Sequence, residues 1–130
     1  MTTPYKNLLF HWLPLICYCL LIFIQSAHPL TDLIPQRPLI DKLLHFLAYF
    51  ILGILFFRAF RTLPIKISYN ALIFISISSS VLYGISDEIH QYFVPLRQAD
   101  VMDVLADALG SVFGILMYRL WGKKLGFKAV

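Results

Sequence analysis

Three short stretches of this 130-residue chain hold most of the side chains that could transfer a proton, ligate a cation or bind an anion. In the first stretch, Asp41, His45 and Tyr49 recur every four residues, so they form one stripe on a helix. Histidine titrates near neutral pH and serves proteins as a general base or metal ligand. Asp41 alone could cap the helix and interact with its dipole, but capping does not explain His45, one turn deeper.

The second stretch places Asp87, Glu88, His90 and Gln91 within five positions at the end of an apolar segment. Two carboxylates near the C-terminus of a helix oppose the helix dipole. We therefore expect a cation beside them, which could be a lysine, an arginine, a protonated histidine or a metal ion. A solvated helix end is the alternative.

The third stretch contains Asp100, Asp103 and Asp107. Asp100 and Asp103 suit the first turn of a helix, where Asp100 is a plausible N-cap. Asp107 lies roughly 10 Å further along that helix, on one stripe with Asp103, Gly110 and Gly114. Small residues at four-residue spacing let membrane helices approach closely. The pattern predicts that the acidic stripe faces other helices and continues into a close helix contact.

Two cations accompany these acids. Arg97 lies between the second and third stretches, where it could pair with a carboxylate of the chain or bind a phosphate or carboxylate of a substrate. Lys42 adds a more point-like charge beside the first stretch.

The elements that position these residues follow from composition. The chain is 59% hydrophobic and 14% charged, with a mean hydropathy of +0.75, whereas soluble domains carry roughly 25% charged residues. A chain this short cannot bury so much apolar surface in its own core. The composition therefore disfavours a soluble enzyme, a disordered chain and a nucleic-acid-binding protein.

The apolar segments predict an all-α, polytopic membrane protein with a four-helix bundle in one domain, residues 1–130. A membrane-spanning helix needs about 20 mostly apolar residues, and four segments qualify: about 8–25, 40–60, 69–93 and 100–121. We interpret the first as a retained span rather than a signal peptide, because it is long for that role and lacks a good cleavage site.

The basic residues predict the orientation, because lysine and arginine accumulate on the cytoplasmic side. With four spans, one side holds Lys6, Arg58, Arg61, Lys66, Arg119, Lys123, Lys124 and Lys128, and the other holds Arg37, Lys42 and Arg97. We therefore expect both termini in the cytoplasm, which explains the net charge of +4 without a nucleic-acid partner. All acidic residues then lie on or near the outer side: Asp32, Asp41, Asp87, Glu88, Asp100, Asp103 and Asp107.

The ordered motifs resemble those of the VanZ-like family of bacterial membrane proteins. They are Asp41-Lys42-x-x-His45-Phe-x-x-Tyr49, Tyr83-Gly84, Asp87-Glu88-x-His90-Gln91, Pro95-x-Arg97 and Asp103-x-x-x-Asp107-x-x-Gly110-x-x-x-Gly114. The resemblance implies a small multi-pass protein of the bacterial plasma (inner) membrane, linked in the family's named member to resistance to teicoplanin, a glycopeptide. It implies no settled reaction. Asp107 is a departure, because such proteins commonly carry asparagine at that place.

These patterns favour an outward-facing site that acts on or binds an anionic, lipid-linked intermediate of the cell envelope. Ionisable groups near lipid are costly and mark functional sites. We expect catalytic roles for His45, Glu88, His90 and Asp103. We expect substrate binding by Asp41, Lys42, Asp87, Gln91, Arg97 and Asp107.

Other functions stay open. Asp87, Glu88, His90, Asp103 and Asp107 could ligate a divalent metal that activates water. A non-catalytic module that binds membrane lipids or an antibiotic would use the same cations. An ion-coupled transporter needs ionisable groups in the inner half of the bilayer, where His11 is the one candidate. The glycine stripe could also serve a homo-oligomer.

Overall fold

The computed structural model describes residues 4–28, 38–95 and 97–124, with the side chains of the last two residues left aside. Asp32, Arg37 and Lys128, which were used to predict the orientation, lie outside the described residues. Within these residues the chain forms four helices: α1 (Pro4–Ala27), α2 (Pro38–Phe60), α3 (Tyr69–Tyr92) and α4 (Val101–Lys124).

Each helix is long and apolar enough to cross a membrane, α4 over Val101–Gly122. The predicted all-α class and the four spans are confirmed. Several helices extend a few residues beyond the predicted ends of the spans. The length of an apolar segment indicates which part of a helix lies within the bilayer, whereas the helical backbone hydrogen bonds continue past that part. α1, for example, begins at Pro4 and includes Lys6.

Helix α1 is irregular near its start. A π-helical turn, Leu8–Trp12, lies just before Pro14, with Leu13 between them. Proline has no backbone N–H to donate to the carbonyl four residues earlier, which here belongs to Phe10. The Arg58 guanidinium of α2 donates to this carbonyl at 3.4 Å. Trp12 also donates to the Thr62 hydroxyl at 3.0 Å. These two contacts attach the start of α1 to the end of α2.

Helices α2 and α4 form the most extensive contact of the bundle. A Cβ atom added at Gly110 would collide with the backbone carbonyl of Phe46, and one added at Gly114 would collide with that of Phe50. On α2, a Cβ at Gly53 would lie 2.8 Å from the Cα of Ser111. The close helix contact predicted from Gly110 and Gly114 is therefore present, and it holds the acidic stripe of α4 against α2.

The interior of the bundle is apolar towards one end and contains buried polar side chains towards the other. Leu52, Phe57 and Ile115 form an apolar core with at most 1% of their surface exposed. Towards the other end, the Ser80 and Ser111 hydroxyls form a buried hydrogen bond of 2.7 Å between α3 and α4. The outward faces are apolar and exposed, with Phe74, Leu82 and Phe113 as examples, as expected for surfaces that contact lipid.

Candidate functional site

The start of α2, the end of α3 and the start of α4 meet at one end of the bundle, because these three helices alternate in direction. This end contains most of the ionisable residues singled out from the sequence. Its buried polar members within α3 and α4 are Asp87, Glu88, Gln91, Asp103 and Asp107.

His45 and Asp107 form the innermost pair. The His45 Nδ1 atom lies 3.0 Å from Asp107 Oδ1, and the Asp107 side chain is fully buried. The rings of His45 and Tyr49 lie nearly parallel, with their centroids 6.4 Å apart. When Nδ1–H donates to the carboxylate, Nε2 keeps its lone pair. The arrangement thus fixes the imidazole plane and leaves Nε2 for chemistry.

Glu88 faces that second nitrogen from α3. Its Oε1 atom lies 4.0 Å from His45 Nε2, and its side chain is 8% exposed. The Oε2 atom accepts a hydrogen bond of 2.9 Å from the Asp100 backbone N–H. Among the residues that the structure describes, Oε1 has no hydrogen-bond partner. His45 Nε2 and Glu88 Oε1 therefore line a gap suited to a proton donor or a small cation.

Lys42 bridges two carboxylates at the start of α4. Its ammonium group donates to Asp100 Oδ2 at 2.5 Å and to Asp103 Oδ1 at 3.0 Å. The other Asp100 oxygen accepts from the Met102 backbone N–H at 2.8 Å, so the predicted N-cap is confirmed. The hydrogen bond from Lys42 holds the pKa of the Asp100 carboxyl below its ordinary value. Lys42 thus pairs with the acids of the third stretch, whereas a cation was expected beside Asp87 and Glu88 of the second.

Gly84 leaves the space in which Asp107 and Tyr49 pack against α3. In the sequence, Gly84 was singled out only as part of the motifs that resemble the VanZ-like family. A Cβ atom at Gly84 would lie 2.6 Å from Asp107 Oδ2 and 3.2 Å from the Tyr49 ring. Asp107 Oδ2 and the Tyr49 hydroxyl are both buried, and within the described residues neither has a hydrogen-bond partner. Tyr49 belonged to the predicted stripe but was not assigned to the site. Its burial next to Gly84 depends on tertiary packing that the sequence did not display.

The other residues predicted for the site lie outside the hydrogen-bonded pair of His45 and Asp107. The Gln91 amide donates to Asp87 Oδ2 at 3.0 Å, so these two buried residues pair with each other. Asp41 is exposed near His45 and Asp103. Arg97 is partly exposed in the loop between α3 and α4, and in the described part of the chain its side chain has no hydrogen bond or ion pair.

His90 lies away from His45. Its ring stacks on Phe23 of α1, with the centroids 4.5 Å apart and the planes 16° apart. Its Nδ1 atom is buried, without a hydrogen-bond partner among the described residues. Of the two histidines expected to act in the site, the structure brings His45 to the carboxylates of α4 and places His90 against α1.

The arrangement can orient an imidazole and hold a small cation beside it, and the loop between α3 and α4 adds the Arg97 guanidinium at the same end of the bundle. Four apolar helices around a buried charged cluster define a multi-pass membrane protein with a polar site at one end. A family model described as VanZ/LLP1 matches residues 5–122, so the chain belongs to the VanZ/LLP1 family. A search of curated proteins and a search of solved structures each gave no match.

Proposed function

We propose that this protein acts on an anionic, lipid-linked intermediate of the bacterial cell envelope, at the outer leaflet of the plasma membrane. The observation that carries the proposal is the convergence of His45, Glu88 and Asp107 from three helices into one buried cluster. Ionisable groups at membrane depth are costly, and their default interpretation is a functional site. Membership of the VanZ/LLP1 family supports a membrane role and a link to glycopeptide resistance.

Recognition of the anionic group is assigned to Arg97. A guanidinium group can bind phosphate or carboxylate through two parallel hydrogen bonds, and Arg97 has no ion-pair partner in the described part of the chain. Lys42 is already engaged by two carboxylates. Arg97 also lies in the short loop between α3 and α4, at the end of the bundle that contains the cluster.

The reactive group is assigned to His45. Asp107 fixes the ring, and Nε2 faces the gap beside Glu88. Positioned imidazoles commonly contribute about 10²–10⁴-fold to rate. We therefore expect His45→Gln to lower turnover of the intermediate by at least about a hundredfold.

The test is profiling of envelope lipids and peptidoglycan precursors in cells that lack the protein or express the wild type or His45→Gln. The proposal expects one anionic lipid-linked species to change with wild type and not with His45→Gln. His11→Gln, the same substitution at the opposite end of the bundle, is the matched control and should behave as wild type. Teicoplanin susceptibility of the same strains tests the resistance link. Identical profiles for wild type and His45→Gln would contradict the assignment.

A non-catalytic binding module is the second candidate, favoured by the double ion pair of Lys42. That ion pair joins α2 to α4 and gives Asp100 and Asp103 a structural role. A binder would retain the lipid in His45→Gln and lose it in Arg97→Ala. An enzyme would instead accumulate unreacted lipid in His45→Gln.

A further inference from the structure

We propose that the gap beside His45 is a binding site for one divalent transition-metal ion. The ligands would be His45 Nε2 and carboxylate oxygens of Asp41, Asp103 and Glu88. One potential ligand atom from each of Asp41, His45 and Asp103 lies within 4.8 Å of the other two. Asp41 and His45 come from α2, Asp103 comes from α4 and Glu88 comes from α3, so such an ion would join three helices.

Glu88 supplies the independent evidence for a ligand. Its Oε1 atom is buried and has no hydrogen-bond partner in the described residues, and it lies 4.0 Å from His45 Nε2. A buried carboxylate oxygen without a partner is costly. A cation between Oε1 and Nε2 would satisfy both atoms.

Asp107 provides the outer support that metal-bound histidines have. In such sites the nitrogen that does not bind metal donates to a carboxylate or carbonyl, which fixes the tautomer and the ring orientation. The contact of 3.0 Å between His45 Nδ1 and Asp107 Oδ1 has this geometry. We therefore infer that Asp107 is a positioning residue and that Nε2 is the metal ligand.

Distances and charge both suit a transition metal. Zinc binds nitrogen and oxygen ligands at about 2.0–2.2 Å, so the side chains would move inward from their present separations when an ion binds. Six carboxylates lie near this end of the bundle: Asp41, Asp87, Glu88, Asp100, Asp103 and Asp107. Lys42 pairs with two of them, which leaves an excess of negative charge for a divalent ion to offset. One imidazole with carboxylates suits Mn²⁺ or Zn²⁺.

The ion would also explain how an acidic pocket accepts an anionic substrate. Without the ion, the carboxylates would repel a phosphate that Arg97 brings to the site. This role rests on the proposed function, whereas the metal site rests on the geometry alone. The two can therefore fail separately in experiments.

The test is metal binding by tag-free protein in detergent, stripped with a chelator and dialysed against Mn²⁺ or Zn²⁺. We expect one ion per chain by elemental analysis. His45→Gln and Asp103→Asn should each raise the Kd at least about tenfold, and Asp107→Ala, which removes the outer support, should raise it about 10–100-fold. His11→Gln is the matched histidine control and should leave the Kd unchanged.

A spectroscopic measurement on the wild type keeps the test valid if a variant does not fold. Pulsed EPR of bound Mn²⁺ should show coupling to one histidine nitrogen. Absence of stoichiometric binding for both metals, absence of that coupling, or unchanged binding in a folded His45→Gln variant would each overturn the metal site. If lipid profiles still depend on His45 after such a result, the proposed function stands without the metal.

Discussion

At the scale of single residues, Asp107 controls the orientation and the tautomer of the His45 imidazole. Its Oδ1 atom fixes the imidazole, while Oδ2 is buried beside Gly84 without a partner in the described residues. Asparagine, which related proteins are expected to carry at this place, would keep an oxygen that accepts from Nδ1. Asparagine would also remove one negative charge from a crowded acidic cluster. An exchange between asparagine and Asp107 would therefore change charge more than hydrogen-bond geometry.

We expect Asp107→Asn to fold with nearly wild-type stability and Asp107→Ala to lower the free energy of unfolding by about 1–3 kcal/mol, because alanine leaves a buried imidazole N–H without an acceptor. Thermal unfolding in detergent, with equal loading, measures the difference. Equal destabilisation by both substitutions would show that the charge of Asp107, and not its hydrogen bond, stabilises the site.

At the scale of helices, the site depends on how closely α2 and α4 approach. Lys42 and His45 lie on α2, while Asp103 and Asp107 lie on α4. The ion pair of Lys42 with Asp103 and the hydrogen bond of His45 with Asp107 therefore both cross this interface. The backbone carbonyl of Phe46 occupies the space that a Cβ atom at Gly110 would need. A backbone carbonyl cannot rotate away as a side chain can. The glycine stripe therefore sets the distance across which the charged residues meet.

We expect Gly110→Ala and Gly114→Ala each to lower the free energy of unfolding by roughly 1–3 kcal/mol, the usual cost of an overpacked interior. Both variants should also lose lipid turnover, because the helices must separate. Leu109→Ala, on the exposed face of the same helix, is the control and should have little effect on either measurement. Wild-type stability in Gly110→Ala would contradict the close packing of α2 and α4.

At the scale of the whole molecule, the orientation in the membrane decides which leaflet the site serves. The end that contains His45 and Glu88 carries the loop with Arg97, and the opposite end carries Arg58, Arg61 and Lys66. The larger number of basic residues at the opposite end predicts that it faces the cytoplasm. The site would then open to the outer leaflet.

Cysteine labelling tests this orientation. In a background with Cys17→Ala and Cys19→Ala, we expect Gln98→Cys to react with a membrane-impermeant maleimide in intact cells. Ile65→Cys, in the loop at the opposite end, should react after permeabilisation alone. Both positions are exposed in the fold, so accessibility to solvent does not separate them. The reverse pattern would place the site on the cytoplasmic side and remove the outer-leaflet proposal.

The sequence by itself determined the class of protein, the four spans and the buried face of α4. The length and periodicity of an apolar segment are local properties of the sequence. The bilayer stabilises a long apolar helix regardless of how the neighbouring helices pack against it. Asp100 as an N-cap was equally readable, because capping involves the first turn alone. The alignment of Asp103 and Asp107 with Gly110 and Gly114 pointed correctly to a face turned towards another helix.

The tertiary structure alone decided which histidine joins which carboxylate. Glu88 and His90 are neighbours in sequence, but two residues rotate about 200° on a helix, so they face different helices. In a membrane the lipid-facing side of a helix is as apolar as its packed side, and periodicity then gives weak information about where each face docks. The stacking of His90 on Phe23 of α1 keeps His90 out of the cluster, while the close approach of α2 and α4 brings Asp107 to His45.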